Sequence, residues 1–308
     1  MQQHQVNDGP LVSIGVPTFN RPDLLRRALT HLLSQSYRNI EVLISDNAST
    51  DVRVQDVIAQ FSLQDDRIKS YIQSPGVSAY ENFIFVLQQS AGEFFMWAAD
   101  DDYIEPWFVE RCLDKFQVVP NCALVVPEAQ FFWEDSIFEF VPEGEAFRSP
   151  IGDDANGRIK NLLRHNYGNL IYGLYRRSAL VDDQGVQWSR TLLSSPNEIA
   201  PLLLAANAGD IVALPDIGLF KHTPRSAYDQ VVWENRGGKL PSGACLDPRS
   251  AIGTLKYHWH ALQDINSAIE ITGLPAIIKR RLRKLARNRL AIHFFWLMIG
   301  RKPSKPGV

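Results

Sequence analysis

Cysteine is scarce in this chain of 308 residues, with only Cys112, Cys122 and Cys245 present and no metal-binding spacing among them. That excludes a disulfide framework and a structural zinc site, and it points to reduced thiols buried in a core. A long hydrophobic run is also missing. The apolar stretch Ala291–Ile299 near the C-terminus falls far short of the roughly 20 residues that cross a bilayer. Charge of one sign is absent as well. Lys and Arg number 32 against 34 Asp and Glu, a formal net charge of −2, so nothing overall argues for nucleic acid as a partner. Met1–Pro10 is polar and has no signal-peptide core, which with the cysteine usage sets the expectation of a cytoplasmic protein. Internal repeats, low-complexity tracts and a glycine-rich phosphate loop after the first strand are not found.

What is present is a regular alternation. Leu11–Val16 is an apolar strand, followed by the polar turn 17–22 and a helix with Leu24, Leu25, Ala28, Leu29, Leu32 and Leu33 at helical spacing. Ile40–Ser45 is a second strand. It stops at Asp46-Asn-Ala-Ser-Thr-Asp51, whose Ser49 and Thr50 are suited to cap the helix carrying Val54, Val57, Ile58 and Phe61. Ile68–Ile72 reads as a third strand, and Ser78 with Glu81 forms a capping box that opens a helix to about Gln89. Phe94–Ala99 is apolar enough to be covered on both faces, as in a parallel sheet. Strands alternating with helices imply an α/β fold with a doubly wound, mostly parallel sheet. Hydrophobic content of 45% and charged content of 21% fit an ordinary globular protein of this class.

The most informative junction is where the Phe94 strand ends in Asp100-Asp101-Asp102. Three adjacent carboxylates at a surfacing strand repel one another unless a cation or a helix N-terminus compensates them. Ligands of open α/β sheets bind at the carboxyl ends of the strands. Oxygen-only clusters suit Mg²⁺ or Mn²⁺, which take one or two carboxylates and complete their shell with phosphate oxygens. The plainer reading is an acidic turn ahead of the helix after Pro106. Polar clusters at two further strand ends, Thr18-Phe19-Asn20-Arg21 and Asp46-Asn47, favour a site.

Val16-Pro-Thr-Phe-Asn-Arg21, Ile44-Ser-Asp-Asn-Ala-Ser-Thr-Asp51, and Gly92-Glu93 leading to Asp100-Asp101-Asp102 and Pro106 together resemble the family 2 glycosyltransferases of the GT-A fold. The likeness is close over about residues 10–125 and weaker through Gly173–Ser178 and Asn197-Glu198 to Lys221-His222. It implies a Rossmann-like sheet flanked by helices. It also implies inverting, metal-dependent transfer of a sugar from a nucleotide diphosphate to a hydroxyl acceptor, with Mn²⁺ or Mg²⁺. By the same resemblance Pro17, Thr18 and Asn20 line the nucleoside pocket, and Asp46 accepts the imide N–H of a uracil or thymine ring. Asp100 lies beside the ribose and the metal's waters, Asp101 is the direct metal ligand, and Asp102 follows as a helix cap or second anion. His222 stands near metal or diphosphate, and Glu198 falls where the base that deprotonates the acceptor is expected. Two positions depart from the commoner pattern: Ala99 where aspartate is frequent, and Glu198 where Asp is commoner.

Three segments are expected: 1–125 as the nucleotide-sugar half, 126–250 as the acceptor half, and 251–308 as a helical extension. Lys221 and Arg225 are either phosphate contacts or solvated loop residues. Trp188, Tyr228 and Trp233 are acceptor-side candidates, and 236–241 reads as a flexible loop. In the extension, Lys279, Arg280, Arg281, Arg283, Lys284, Arg287 and Arg289 crowd one helical stretch. Such a helix lies on an anionic membrane surface, which suits a lipid-linked glycan acceptor, or packs on the domain with its basic face in water. Two other classes compete. A nucleotidyltransferase is disfavoured by the missing phosphate loop, and a catalytically silent glycan- or partner-binding module is disfavoured by the intact Asp100-Asp101 pair. A processive polysaccharide synthase is disfavoured because its Gln-x-x-Arg-Trp motif is absent.

Overall fold

The structure, a computed structural model, describes residues 9–75, 77–132, 154–165, 168–190, 199–222, 259 and 262–298. Its first half follows the alternation read from the sequence. β1 (Val12–Thr18), α1 (Pro22–Leu33), β2 (Ile40–Asp46), α2 (Arg53–Gln64), β3 (Ile68–Ile72), α3 (Ala79–Gln89) and β4 (Phe94–Trp97) come in that order. Every residue of β1, β2 and β4 is buried, the signature of parallel strands covered by helices on both faces. Pro22 sits in the first turn of α1, where its missing N–H costs nothing. The capping box of Ser78 and Glu81 forms as expected, both of its hydrogen bonds being present.

After β4 the chain makes β5 (Tyr103–Ile104), α4 (Phe108–Val118) and β6 (Cys122–Phe132), then α5 (Ala155–His165) and β7 (Leu174–Arg176). A short hairpin, β8 (Val181–Asp182) with β9 (Gly185–Val186), leads on to α6 (Ile199–Ala208) and β10 (Asp210–His222). The main sheet has the order β3-β2-β1-β4-β7-β6-β10-β5. β3, β2, β1 and β4 are mutually parallel, β7 runs antiparallel to both β4 and β6, and β5 runs antiparallel to β10. Strands from both sides of residue 125 therefore share one sheet.

Two features hold the site half in shape. Gly15 lets α3 close on β1, since a Cβ there would meet Val86 at 2.6 Å. Buried Glu41 on β2 accepts hydrogen bonds from Ser13 Oγ at 2.5 Å, Lys69 Nζ at 2.7 Å and the Ala91 amide at 2.8 Å, joining β1, β2, β3 and the entry to β4. Burial opposes ionisation of Glu41, but these hydrogen bonds outweigh it and hold the carboxyl below its ordinary range. Cys112 and Cys122 are buried and unpaired, as the sequence predicts.

The expected cap of α2 is different. Its N-cap is Val52, with no side-chain cap, because Ser49 and Thr50 are drawn instead to Asp46 and Asn20. Asp51 Oδ1 accepts the Arg53 amide at 3.1 Å in their place. Trp188 is also not an acceptor platform. It is fully buried and packs edge-on against Trp97 and Tyr80, so packing claims it. Tyr228, Trp233, Arg225 and the 236–241 loop lie outside the described residues.

Candidate active site

β1 is flanked by β2 on one side and β4 on the other, so the loops leaving β1 and β4 diverge and open a crevice at their carboxyl ends. The parallel register sets Thr18 beside Asp46, and Ala98 N donates to Gly15 O at 2.9 Å. The three polar strand ends are thereby brought to one edge. They surround a cleft of about 460 Å³ whose wall includes Pro17, Thr18, Arg21, Asn47, Asp100, Asp101, Asp102, Lys221 and His222.

The cations that three carboxylates demand are supplied by the chain itself. Arg21 Nη1 donates to Asp100 Oδ1 and to Asp101 Oδ2, both at 3.0 Å. Thr18 Oγ1 donates to Asp100 Oδ2 at 2.7 Å. Asp102 is buried between Lys221 Nζ at 2.9 Å and the His222 amide at 3.0 Å, and Lys221 Nζ lies 3.9 Å from the centre of the Tyr172 ring. Asp102 is therefore a structural anion tying the β4–β5 turn to the end of β10. Lys221 is neither a solvated loop residue nor free to leave without exposing a buried charge. Burial pushes the Asp100 carboxyl up to about 6, against the pull of Thr18 and Arg21. Burial likewise raises Asp102, with Lys221 opposing. Burial disfavours the Arg21 charge, but the neighbouring Asp100 and Asp101 outweigh it and raise its pKa.

Asn20 and Asp46 do not face the cleft. Asn20 adopts a left-handed φ of 55°, and its Oδ1 accepts the amides of Thr50 at 2.8 Å and Asp51 at 3.0 Å, clamping the β1 loop to the β2 loop. Asp46 is 1% exposed. Its Oδ1 accepts from Ser49 N and Oγ, and its Oδ2 accepts from Gln55 Nε2 at 2.5 Å. This is the turn-bracing arrangement that an aspartate at a strand end readily adopts. The residue on the cleft wall is its neighbour Asn47, whose Nδ2 donates to Val77 O at 3.0 Å while its buried Oδ1 has no partner.

Among the described residues, no group of three His, Cys, Asp or Glu side chains is arranged to hold a metal ion. His222 Nδ1 lies 3.9 Å from Asp101 Oδ2, and Asp101 is the more exposed of the Arg21-bound pair. That donor set fits a sparsely held divalent ion that shares its shell with phosphate oxygens, and does not fit an all-protein cage. Glu198 lies outside the described residues. The helix that follows it, α6, is buried from Ala200 through Ala206.

Residues 13–155 match the model of the family Glycosyl transferase family 2. This segment is a family 2 glycosyltransferase domain. Over 98 residues the chain is 35% identical to a Campylobacter jejuni GalNAc(5)-diNAcBac-PP-undecaprenol beta-1,3-glucosyltransferase, covering 30% of each chain. The chain spans 20–45% of the length of this and two further curated relatives. The fold resembles S. aureus TarS 1-349 in complex with UDP-GlcNAc, with a TM-score of 0.59 and 17% identity over 92% of this chain and 73% of that one. It also resembles the mannosyltransferase PcManGT from Pyrobaculum calidifontis in complex with GDP-Man and Mn²⁺, with a TM-score of 0.50 and 15% identity over 93% and 87% of the two chains. The glycosyltransferase domain thus has the GT-A fold, with a mixed, mostly parallel sheet between helices.

Proposed function

We propose that this chain is an inverting, metal-dependent glycosyltransferase acting in cell-surface glycan or polysaccharide synthesis. It moves a sugar from a UDP- or dTDP-sugar to a hydroxyl of a glycan acceptor carried on a lipid. The observation that carries the reading is the Asp100-Asp101 pair at the mouth of the cleft, within reach of one guanidinium that bridges both carboxylates. The undecaprenol diphosphate in the name of the Campylobacter relative supports a lipid-linked acceptor, and with it work at the cytoplasmic face of a membrane.

In this reading residues 1–125 supply the donor half of the site, 126–250 the acceptor half and 251–308 a helical extension. Pro17 and Thr18 form the floor under the nucleoside, with Thr18 also fixing the Asp100 rotamer through its 2.7 Å hydrogen bond. Asn47, on the cleft wall, is the side chain from the β2 end that would meet the base, while Asp46 and Asn20 hold the two loops that carry the pocket. Asp100 lies toward the ribose. Asp101, with His222 beside it, would hold Mn²⁺ or Mg²⁺, which when bound supplies charge to offset the leaving diphosphate.

The remaining work falls to the chain. Glu198 takes the proton of the acceptor hydroxyl as that oxygen bonds to the anomeric carbon, and the carbon–oxygen bond to the nucleotide diphosphate breaks on the opposite face. Arg21 faces the negative charge that leaves, a preorganised donor of the kind that stabilises a departing anion. Because this is a single displacement, the anomeric configuration inverts.

The test is nucleotide-sugar hydrolysis and transfer by the purified chain with and without Mn²⁺, across UDP-, dTDP- and GDP-sugars. Metal-stimulated turnover of a UDP- or dTDP-sugar is expected. Nucleotide binding with no turnover of any donor, whatever the acceptor supplied, would make the chain a silent binding module.

A further inference from the structure

The C-terminal helix, Ala276–Met298, carries seven Lys or Arg and no Asp or Glu, while the chain as a whole is slightly acidic. The structure sorts these cations into two sets. Lys279 and Arg283 pair with Glu270 on the preceding helical segment 262–270, and Arg289 donates to Leu163 O at the end of α5. Those three belong to the packing of the helix, whose buried side is lined by Leu282 and Ala286. Arg280, Arg281, Lys284 and Arg287 are exposed and in no ion pair among the described residues. Their spacing keeps them on one face, about 10 Å long at 1.5 Å per residue.

This face borders a cleft of about 630 Å³ against the 262–270 segment, lined by these four cations and the Glu270-paired Arg283 together with Leu262, Asn266 and Ile277. Ile277, one turn before the cations, is 63% exposed, and Ile271 in the turn between the two helices is 38% exposed. A solvated face has no use for isoleucine at its leading edge. Cations led by exposed isoleucines are what an interfacial helix presents to lipid, with the charges among headgroups and the aliphatic tips at the acyl boundary. Nucleic acid would use the charges and leave the isoleucines idle.

We infer that the outer face of the C-terminal helix, Ile277 with Arg280, Arg281, Lys284 and Arg287, docks the enzyme on a bilayer rich in anionic lipid. The inference gives the proposed lipid-linked acceptor reading its surface, and rests on that reading only for its purpose. Among the described residues no helix is long and apolar enough to cross a membrane, so the contact is peripheral. Each exposed Lys or Arg near an anionic surface contributes roughly fivefold in partitioning, so four together contribute on the order of 10²–10³-fold at physiological salt.

The experiment is co-sedimentation of the full chain with phosphatidylcholine vesicles, with and without phosphatidylglycerol, at low and high salt. Binding to the anionic vesicles alone, reversed by salt, is expected. Arg280→Glu/Lys284→Glu/Arg287→Glu should lower it more than tenfold, and Ile277→Asp should lower it several-fold with every cation retained. Both variants should keep the thermal melt and the nucleotide-sugar hydrolysis of the parent, which separates loss of docking from loss of fold or of the proposed activity. Equal binding to neutral vesicles, anionic binding untouched by the triple reversal, or displacement from vesicles by duplex DNA at matched phosphate would overturn the inference.

Discussion

Removing Arg21 should tighten metal binding while weakening nucleotide binding, a reversal of sign that few other readings of the site produce. A divalent ion bound by Asp101 has to displace a guanidinium that sits 3.0 Å from carboxylate oxygens of both Asp100 and Asp101. Hydrogen bonds between charged groups are worth about 1.5–3 kcal/mol each when shielded. The Arg21 side chain is 50% exposed, however, and water recovers most of that value, as at other exposed ion pairs. A discounted total of about 1–2 kcal/mol remains, and at 1.4 kcal/mol per factor of ten this is roughly 5- to 30-fold in an equilibrium constant.

Mn²⁺ titrated into nucleotide-free protein and followed by the loss of its free paramagnetic signal should therefore bind 5- to 30-fold more tightly to Arg21→Ala than to the parent, by the same discounted estimate. In the presence of Mn²⁺ the released guanidinium faces the diphosphate. Calorimetric binding of UDP should then be weaker in Arg21→Ala, and Arg21→Lys should fall between, because it keeps the charge and loses the fork. Mn²⁺ affinity that stays the same or falls in Arg21→Ala would refute the competition and with it the assignment of Asp101.

Other outcomes follow from the same geometry. Asp101→Asn, on a partly exposed turn, should fold normally and lose transfer by orders of magnitude along with Mn²⁺-dependent nucleotide binding; full activity with metal retained would rule out the ligand assignment. Asn47→Ala should cost uridine diphosphate about 0.5–1.5 kcal/mol of binding, the range for a neutral hydrogen bond, and should spare guanosine diphosphate, which equal losses would contradict. Glu198→Gln should leave donor binding intact and lower turnover by about 10²–10⁴; a product that retains the donor configuration would remove both the single displacement and this base. The stability that Glu41 contributes is present above its ordinary value of 4.5 and lost as pH falls through its lowered folded value. The melting temperature of the parent should therefore drop more steeply than that of Glu41→Gln below about pH 4.5, and parallel curves would show that the carboxylate is not linked to folding.

The first half of the chain was legible because its signals are local or steric. Short, fully apolar runs such as Phe94–Trp97, set between helical stretches, favour a strand covered on both sides, and Ser78 with Glu81 can form a capping box without help from distant residues. The mixed half was harder. β7, three residues long, runs antiparallel between β4 and β6, and nothing in Leu174–Arg176 announces its direction or its neighbours. At the site, the repulsion of three carboxylates requires a compensating cation, and the sequence makes that requirement plain. Which cation answers it depends on the register that sets the β1 loop beside the β4 loop. Arg21 and Lys221 lie 80 and 119 residues from the carboxylates they meet, beyond the reach of any periodicity argument.

Asp46 shows the same limit on a smaller scale. A carboxylate at a strand end invites a ligand-binding role, but it also invites the nearest N–H and O–H donors, and Ser49 and Gln55 are three and nine residues away. Local donors reach it at little cost in chain entropy, so they win. That leaves the adjacent amide of Asn47 as the polar group facing the cleft. The consequence reaches function. In the proposed reading a neutral amide meets the base, at a distance from Asp100, whose carboxyl is already pushed up to about 6 by burial. On that reading the charge of the cleft is concentrated at Asp100, Asp101 and Asp102, where a cation and a diphosphate would meet.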